Sequence, residues 1–245
     1  MAGMTVLPVP RPRISPADIR KKRHKTAELN LEFYECIKDI VTHPVVLRMK
    51  EYYQHCDTDC YEHCLNVAYN NFRICKYLGL DARSAARGGM LHDLFLYDWR
   101  KHSKLTGDRL HAITHPVAAY LNARKYFKLN KVEKEVITKH MWPVSVIPPR
   151  YPETYVICLT DKYCGSREIV EHYSSILNNR FWGRPVAWLM KQAFARIPRA
   201  DVIQEMIPEL ESMDSAAKPV SFAQQRRRPR SSGWNHVSGR RRCFL

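Results

Sequence analysis

Glycine is scarce in this chain, 9 of 245 residues, and few segments alternate apolar and polar residues with the period of two that a half-buried strand requires. A turn-rich sheet protein is therefore not expected. No run of about 18 apolar residues occurs, so no stretch reads as a membrane-spanning helix. The opening MAGMTVLPVPRPR lacks the basic-then-apolar layout of a secretory leader. A cytoplasmic protein is expected on these grounds, with its eight cysteines read as reduced thiols. No C-x-x-C pair is present. Cys56, Cys60 and Cys64 recur every four residues, as on one side of a helix, and are read as small apolar packing groups rather than a zinc site.

What the chain does have is enough apolar residue, 45%, to bury a sizeable core at this length, and apolar groups spaced as helices space them. The stripe Leu65, Ala68, Phe72, Cys75, Leu78 predicts a helix over Cys60 to Leu78 that stops at Gly79. Asp81 is placed to cap a second, through Ala85 to about Phe95. A third runs from Thr114 to Phe127, opened by His115 and Pro116. Asn130 with Glu133 makes a capping pair for a fourth, ending near Trp142 and Pro143. Pro152 to Cys164 holds YVICLTDKYC, whose Val, Ile and Tyr suit a strand equally well; its helical context decides for a fifth helix. Further helices are expected over Asn30 to Ile40, Pro44 to Tyr53, Ser166 to Asn178 and Ala200 to Glu211. The fold class is all-α.

The net charge of +16 suggests nucleic acid until its distribution is counted. Residues 1–25 carry seven Lys/Arg against one Asp, and residues 212–245 carry eight against one. The remaining stretch 26–211 has 40 − 15 = 25 basic and 24 − 2 = 22 acidic residues, so the middle of the chain is close to neutral. The ends, rich in Arg, Pro and Ser, have too little apolar surface to offset the entropy of ordering. The division expected is a basic N-terminal segment over 1–27, a helical domain over 28–211 and a basic disordered tail over 212–245. One short helix, near Ser15 to Lys25, is expected at the N-terminus, with Ser15 as cap and Pro16 in the first turn. Nonspecific contact with nucleic acid is open to such tails, although a solvated tail without a dedicated partner is the simpler reading, and the tails should be dispensable for chemistry.

Placed on this frame, the ionisable residues form a series. His63 lies on the first of the five core helices, His92 and Asp93 on the second, His115 opens the third, His140 ends the fourth, and Asp161 lies within the fifth. Turned to a common centre, they would gather four imidazoles and two carboxylates, a donor set suited to transition metals. Neighbours on a regular helix point about 100° apart, so His92 and Asp93 share a site only if a metal pair lies across their helix, the His reaching one ion and the Asp both.

The ordered series, the HD doublet, the preceding EHCLNVA and AARGGMLHD, and the later HP pair resemble the HD superfamily of metal-dependent phosphohydrolases over residues 58–166. That resemblance implies an HD-type helical bundle and a metal-activated water hydrolysing a phosphoester, a nucleotide being one candidate. It implies that His63, His92, Asp93 and Asp161 hold one divalent ion. His115 and His140 match the dinuclear branch, in which Asp93 bridges and is the catalytic candidate. Two such ions, about 3.5–4 Å apart, lower the pKa of a shared water and clamp the attacking and leaving oxygens. Mn, Fe, Co and Zn all suit these ligands. The GYP signature of cyclic-dinucleotide phosphodiesterases is lacking.

A small phosphorylated substrate also needs cations, and Arg87, Arg100, Lys101 and Lys162 are the candidates by position. Glu62, Asp98, Asp108 and His111 are candidates for holding the imidazoles. Two other classes remain open: an HD-type mixed-valent diiron oxygenase using the same six ligands, and a nucleotide- or RNA-binding module that turns nothing over. A pure binder would not need all six ligands.

Overall fold

In the computed structural model, residues 15–101, 110–178, 184–194 and 199–217 are described. Of the basic ends expected at 1–27 and 212–245, residues 1–14 and 218–245 lie outside them, while 16–27 and 212–217 belong to helices. Contacts divide the chain into two units, 1–207 and 208–245, and the candidate site described below lies in the first.

Helix α1, Pro16–Val41, begins as its sequence requires: the Ser15 side chain accepts the Asp18 amide and proline occupies the first turn. Its expected two pieces are one helix, because nothing between Lys25 and Asn30 breaks the periodicity. Residues 20–28 are exposed and largely basic, whereas Phe33, Ile37, Ile40 and Val41 on the second half are fully buried. After α2, Pro44–Leu47, and a short 3-10 turn over Arg48–Glu51, the expected helix to Tyr53 gives way to an antiparallel hairpin of β1, Tyr53–His55, and β2, Thr58–Asp59, with Tyr53 opposite Asp59. Cys56 turns this hairpin at φ 49° and so does not share a helix with Cys60 and Cys64; all three are free thiols.

Helix α3, Cys60–Tyr77, is capped by Asp59, whose side chain accepts the Glu62 amide, and is buried on nearly every side. It closes at Gly79, φ +71°, a left-handed conformation that suits a residue without Cβ. Asp81 then caps α4, Ala82–Leu91, four residues shorter than the sequence suggested. The small residues of α4 let helices meet backbone to backbone, since a Cβ on Gly89 would lie 2.8 Å from Ala68 Cα on α3. Helix α5, His111–Tyr126, starts earlier than expected and carries Pro116 inside it, at the cost of the bond its missing N–H would give Ala112. Helix α6, Lys131–Lys139, has the full Asn130/Glu133 capping box.

Helix α7, Pro152–Asn178, fuses the two pieces expected on either side of Gly165. Val67 of α3, Val136 of α6 and Ile157 and Cys164 of α7 form one buried cluster, each large member worth roughly 1.5–3 kcal/mol of burial. Helix α8, Arg184–Phe194, was not foreseen, and α9 spans Asp201–Ala217. The all-α expectation holds, with the small hairpin as its exception. No helix among the described residues is long and apolar enough to cross a membrane.

Candidate metal centre

His63 projects from the first turn of α3, Asp161 from the interior of α7, His115 from α5, and His92 and His140 from the C-caps of α4 and α6. The difficulty of adjacent His92 and Asp93 disappears because α4 ends at Leu91. The Phe95 amide donates to the Asp93 carbonyl at 2.8 Å and Leu96 follows at φ 60°. Asp93 thus sits in a turn, free of the helical divergence.

The six side chains meet. Asp93 Oδ1 lies 3.3 Å from His115 Nε2 and 3.6 Å from His140 Nε2, while its Oδ2 lies 3.5 Å from His92 Nε2. Asp161 Oδ1 is 3.1 Å from His63 Nε2 and 3.7 Å from His92 Nε2. Two groups, His63/His92/Asp93 and Asp93/His115/His140, each present donor atoms within 4.8 Å of one another and could hold a metal ion. Asp93 belongs to both, one oxygen turned to each.

The imidazole tautomers follow from what stands behind each ring. His92 Nδ1 faces the Gly89 carbonyl at 2.7 Å, His115 Nδ1 the His111 carbonyl at 2.7 Å, and His140 Nδ1 the Ile137 carbonyl at 2.9 Å. A carbonyl only accepts, so each Nδ1 donates and each neutral ring turns a bare Nε2 inward. For His92 and His140 the acceptor is one of the carbonyls that the last turn of a helix leaves unpaired. His63 Nδ1 is met by a carboxylate, both oxygens of Glu168 at 3.0 Å. The Nε2 atoms of His115 and His140 consequently face each other at 2.8 Å, where two lone pairs repel unless a proton or cation intervenes. Buried His92 Nε2 and Asp93 Oδ1 have no hydrogen-bond partner, a costly state for polar atoms. Two anionic carboxylates, four inward lone pairs and two orphaned atoms are the chemistry a divalent cation satisfies, so the residues fit the metal.

Electrostatics reflect the crowding. Burial would raise the Asp93 carboxyl, but His92 and His115 hold it far below the ordinary carboxylate range, and His63 and His92 do the same for Asp161. Burial opposes charge on His63 and His115, yet Glu168 raises the first well above its usual value and Asp93 raises the second. His140 goes the other way, lowered to about 3 by burial and by His92 beside it.

A cavity of about 360 Å³ opens on the centre, with Asp93, His115, His140 and Asp161 on its wall. His63 and His92, fully buried, stand behind them. Lys162 reaches the cavity while donating to the His140 and Cys158 carbonyls at 3.3 and 3.1 Å. Arg87 does not: its guanidinium is held by Glu133 at 2.8 Å, by Asp39 and by the Cys36 carbonyl, tying α4 to α6 and α1. Arg100 lies over the Trp99 ring and Lys101 pairs with Asp98 at 3.4 Å. Among the residues expected behind the imidazoles, His111 supplies its carbonyl to His115 and stacks on Trp99. Glu62 pairs with Arg199 at 2.6 Å, and Asp108 lies outside the described residues.

Four residues of the site escaped the sequence reading. Gln54 donates its amide to Asp93 Oδ2, but it sits on a strand too short to show alternation. Trp99 and Met141 also line the cavity, Trp99 at the start of a helical turn and Met141 in a turn, too short for periodicity to carry information. Glu168 had a usable signal, since it follows Asp161 by seven residues, two helical turns on one face; the expected break at Gly165 hid it.

With that geometry in place, the family model for the HD domain matches residues 60–164. Neither a curated protein nor a solved structure matches the chain.

Proposed function

From the premise that residues 60–164 are an HD domain, a metal-dependent hydrolase-type family, we propose that the protein is a phosphohydrolase acting on a small phosphoester, a nucleotide among the candidates. In this reading His63, His92, Asp93, His115, His140 and Asp161 hold two divalent ions, and Asp93 serves both. The observation that carries it is the pair of orphaned buried atoms, His92 Nε2 and Asp93 Oδ1, turned toward lone pairs that no protein donor meets. The bound ions would supply a water of lowered pKa and positive charge opposite the phosphoryl oxygens.

The chain's own groups do the rest. The backbone carbonyls behind His92, His115 and His140 keep protons on Nδ1 and off Nε2. Gln54 holds Asp93 by one oxygen and so orients its carboxylate. Lys162 spends two of its three N–H donors on carbonyls, leaving the third for a phosphoryl oxygen. Trp99 and Met141 give the organic half of an ester an apolar wall. Arg87 acts at a distance, by fixing α4 against α6.

The test is metal analysis of protein purified without added metal, followed by a panel of phosphate esters. Bound transition metal and hydrolysis that stops on chelation and returns on re-addition are expected. No turnover of any ester, together with oxygen consumption by the iron-loaded protein, would replace this reading with the oxygenase.

A further inference from the structure

Behind three of the four imidazoles stands a neutral backbone carbonyl; behind His63 stands Glu168. The Glu168 side chain is 7% exposed, and His63 is its sole hydrogen-bond partner among the described residues, both carboxylate oxygens lying 3.0 Å from Nδ1. A buried carboxylate is costly unless it serves a partner. The surroundings hold this pair in place. Arg199 bridges Glu62 on α3, at 2.6 Å, and Glu171 on α7, at 2.9 Å. Arg167 adds a second bond to Glu171, and Asn66 accepts the Ala200 amide at 2.9 Å. The two helices that carry His63 and Glu168 are thereby clamped beside their contact.

Resting on the two-ion reading above, we infer that Glu168 is a positioning residue that makes the two halves of the centre unequal. By holding the Nδ1 proton of His63 it fixes the ring and strengthens Nε2 as a donor. It also adds a third carboxylate near the half built from His63, His92 and Asp161. That half binds its ion more tightly than the half built from His115 and His140, whose rings are backed only by carbonyls. The ions therefore load in order, His63 half first. Glu168 touches neither ion nor substrate; it acts through His63.

Full-length metal-free protein titrated calorimetrically with Zn(II) should show two steps. Glu168→Gln keeps the shape and removes the charge; it should weaken the tighter step by about 10–100-fold and leave the weaker one in place. Glu35→Gln, which removes an exposed carboxylate from α1 without touching His63 or the Arg199 clamp, should change neither. Wild-type affinities in Glu168→Gln, or equal weakening of both steps, would overturn the inference, since a carboxylate that merely braced α3 against α7 would move the melting temperature instead. Should Glu168→Gln not fold, the wild type still decides: chelator should strip its ions in two steps, His140→Ala retaining only the slower. A single step for both ions overturns the unequal halves. Wild type that takes up no Zn(II) overturns the two-ion reading itself.

Discussion

Asp161 stands well inside α7, 27 residues long, and His63 in the first turn of the buried α3, whereas His140 stands at the very end of α6, 9 residues long. A residue in the interior of a packed helix inherits its position from contacts on both sides. A residue at the last turn is placed by the turn itself, but finds beside it a carbonyl without a helical partner. The two halves of the centre thus use different means to the same end. One fixes His63 with a carboxylate from another helix and keeps both of its imidazoles fully buried; the other fixes its histidines with their own helices' carbonyls and sets them on the cavity wall. The first should be the firmer holder of metal, the second the half nearer to substrate.

The hardest test of this comparison is Asp93, the one residue common to both halves. Asp93→Ala should lose bound metal from both and abolish hydrolysis, because removing it leaves the cation pair without its shared negative charge. Metal analysis with circular dichroism to check folding reads this out, and wild-type hydrolysis by this variant would sink the two-metal centre.

Next in size, His140→Ala should lose the ion of its own half and keep the other, so that metal content falls by one equivalent relative to the wild type. His63→Ala should do the greater damage, since it breaks the firmer half. Equal metal contents in the two variants would erase the distinction.

A smaller effect separates two adjacent glycines of α4. A Cβ on Gly89 meets Ala68 of α3 at 2.8 Å, on the His63 side, while a Cβ on Gly88 meets Val136 of α6 at 2.6 Å, on the His140 side. Alanine in a helix gains up to about 1 kcal/mol over glycine, but overpacking costs roughly 1–3 kcal/mol, so the clash wins. Both variants should melt several degrees lower. Gly88→Ala should weaken metal binding in the His140 half selectively; an unchanged melting temperature for Gly89→Ala would mean that α3 and α4 are not closely apposed.

The finest distinction is one of pH in the metal-free protein. The folded pKa of His63 is raised well above 6.5, so its contribution to stability is fully present below that value and is lost as pH rises through the raised one. His140 is lowered to about 3; the unfolded chain takes up its proton first, and stability is lost as pH falls from about 6.5 toward 3. Ring-proton resonances should accordingly show His63 charged at neutral pH and His140 neutral down to about pH 3. Joint titration of the two near 6.5 would remove the electrostatic half of the comparison.

Much of this was written locally. Ser15, Asp81 and the Asn130/Glu133 pair announce three helix starts because a cap bonds an amide three residues on, and the stripe on α3 announces its own buried face. The ordered series from His63 to Asp161 marked the residues that meet, since each stands on its own element. The fusion of α7 across Gly165, the hairpin that brings in Gln54, and α8 were not legible: a glycine inside a helix and a three-residue strand have weak local signals that packing overrides. Arg87 shows the limit of position along the chain. It lies near the HD doublet in sequence, and the same charge that would suit a phosphate is captured by Glu133, 46 residues away. The sequence by itself determined which donor atoms this protein owns and which helices carry them. Only the tertiary structure decided which nitrogen of each imidazole faces inward, because that depends on the acceptor behind the ring. For His63 the acceptor is Glu168, 105 residues distant, a partner that only packing of α3 against α7 can supply.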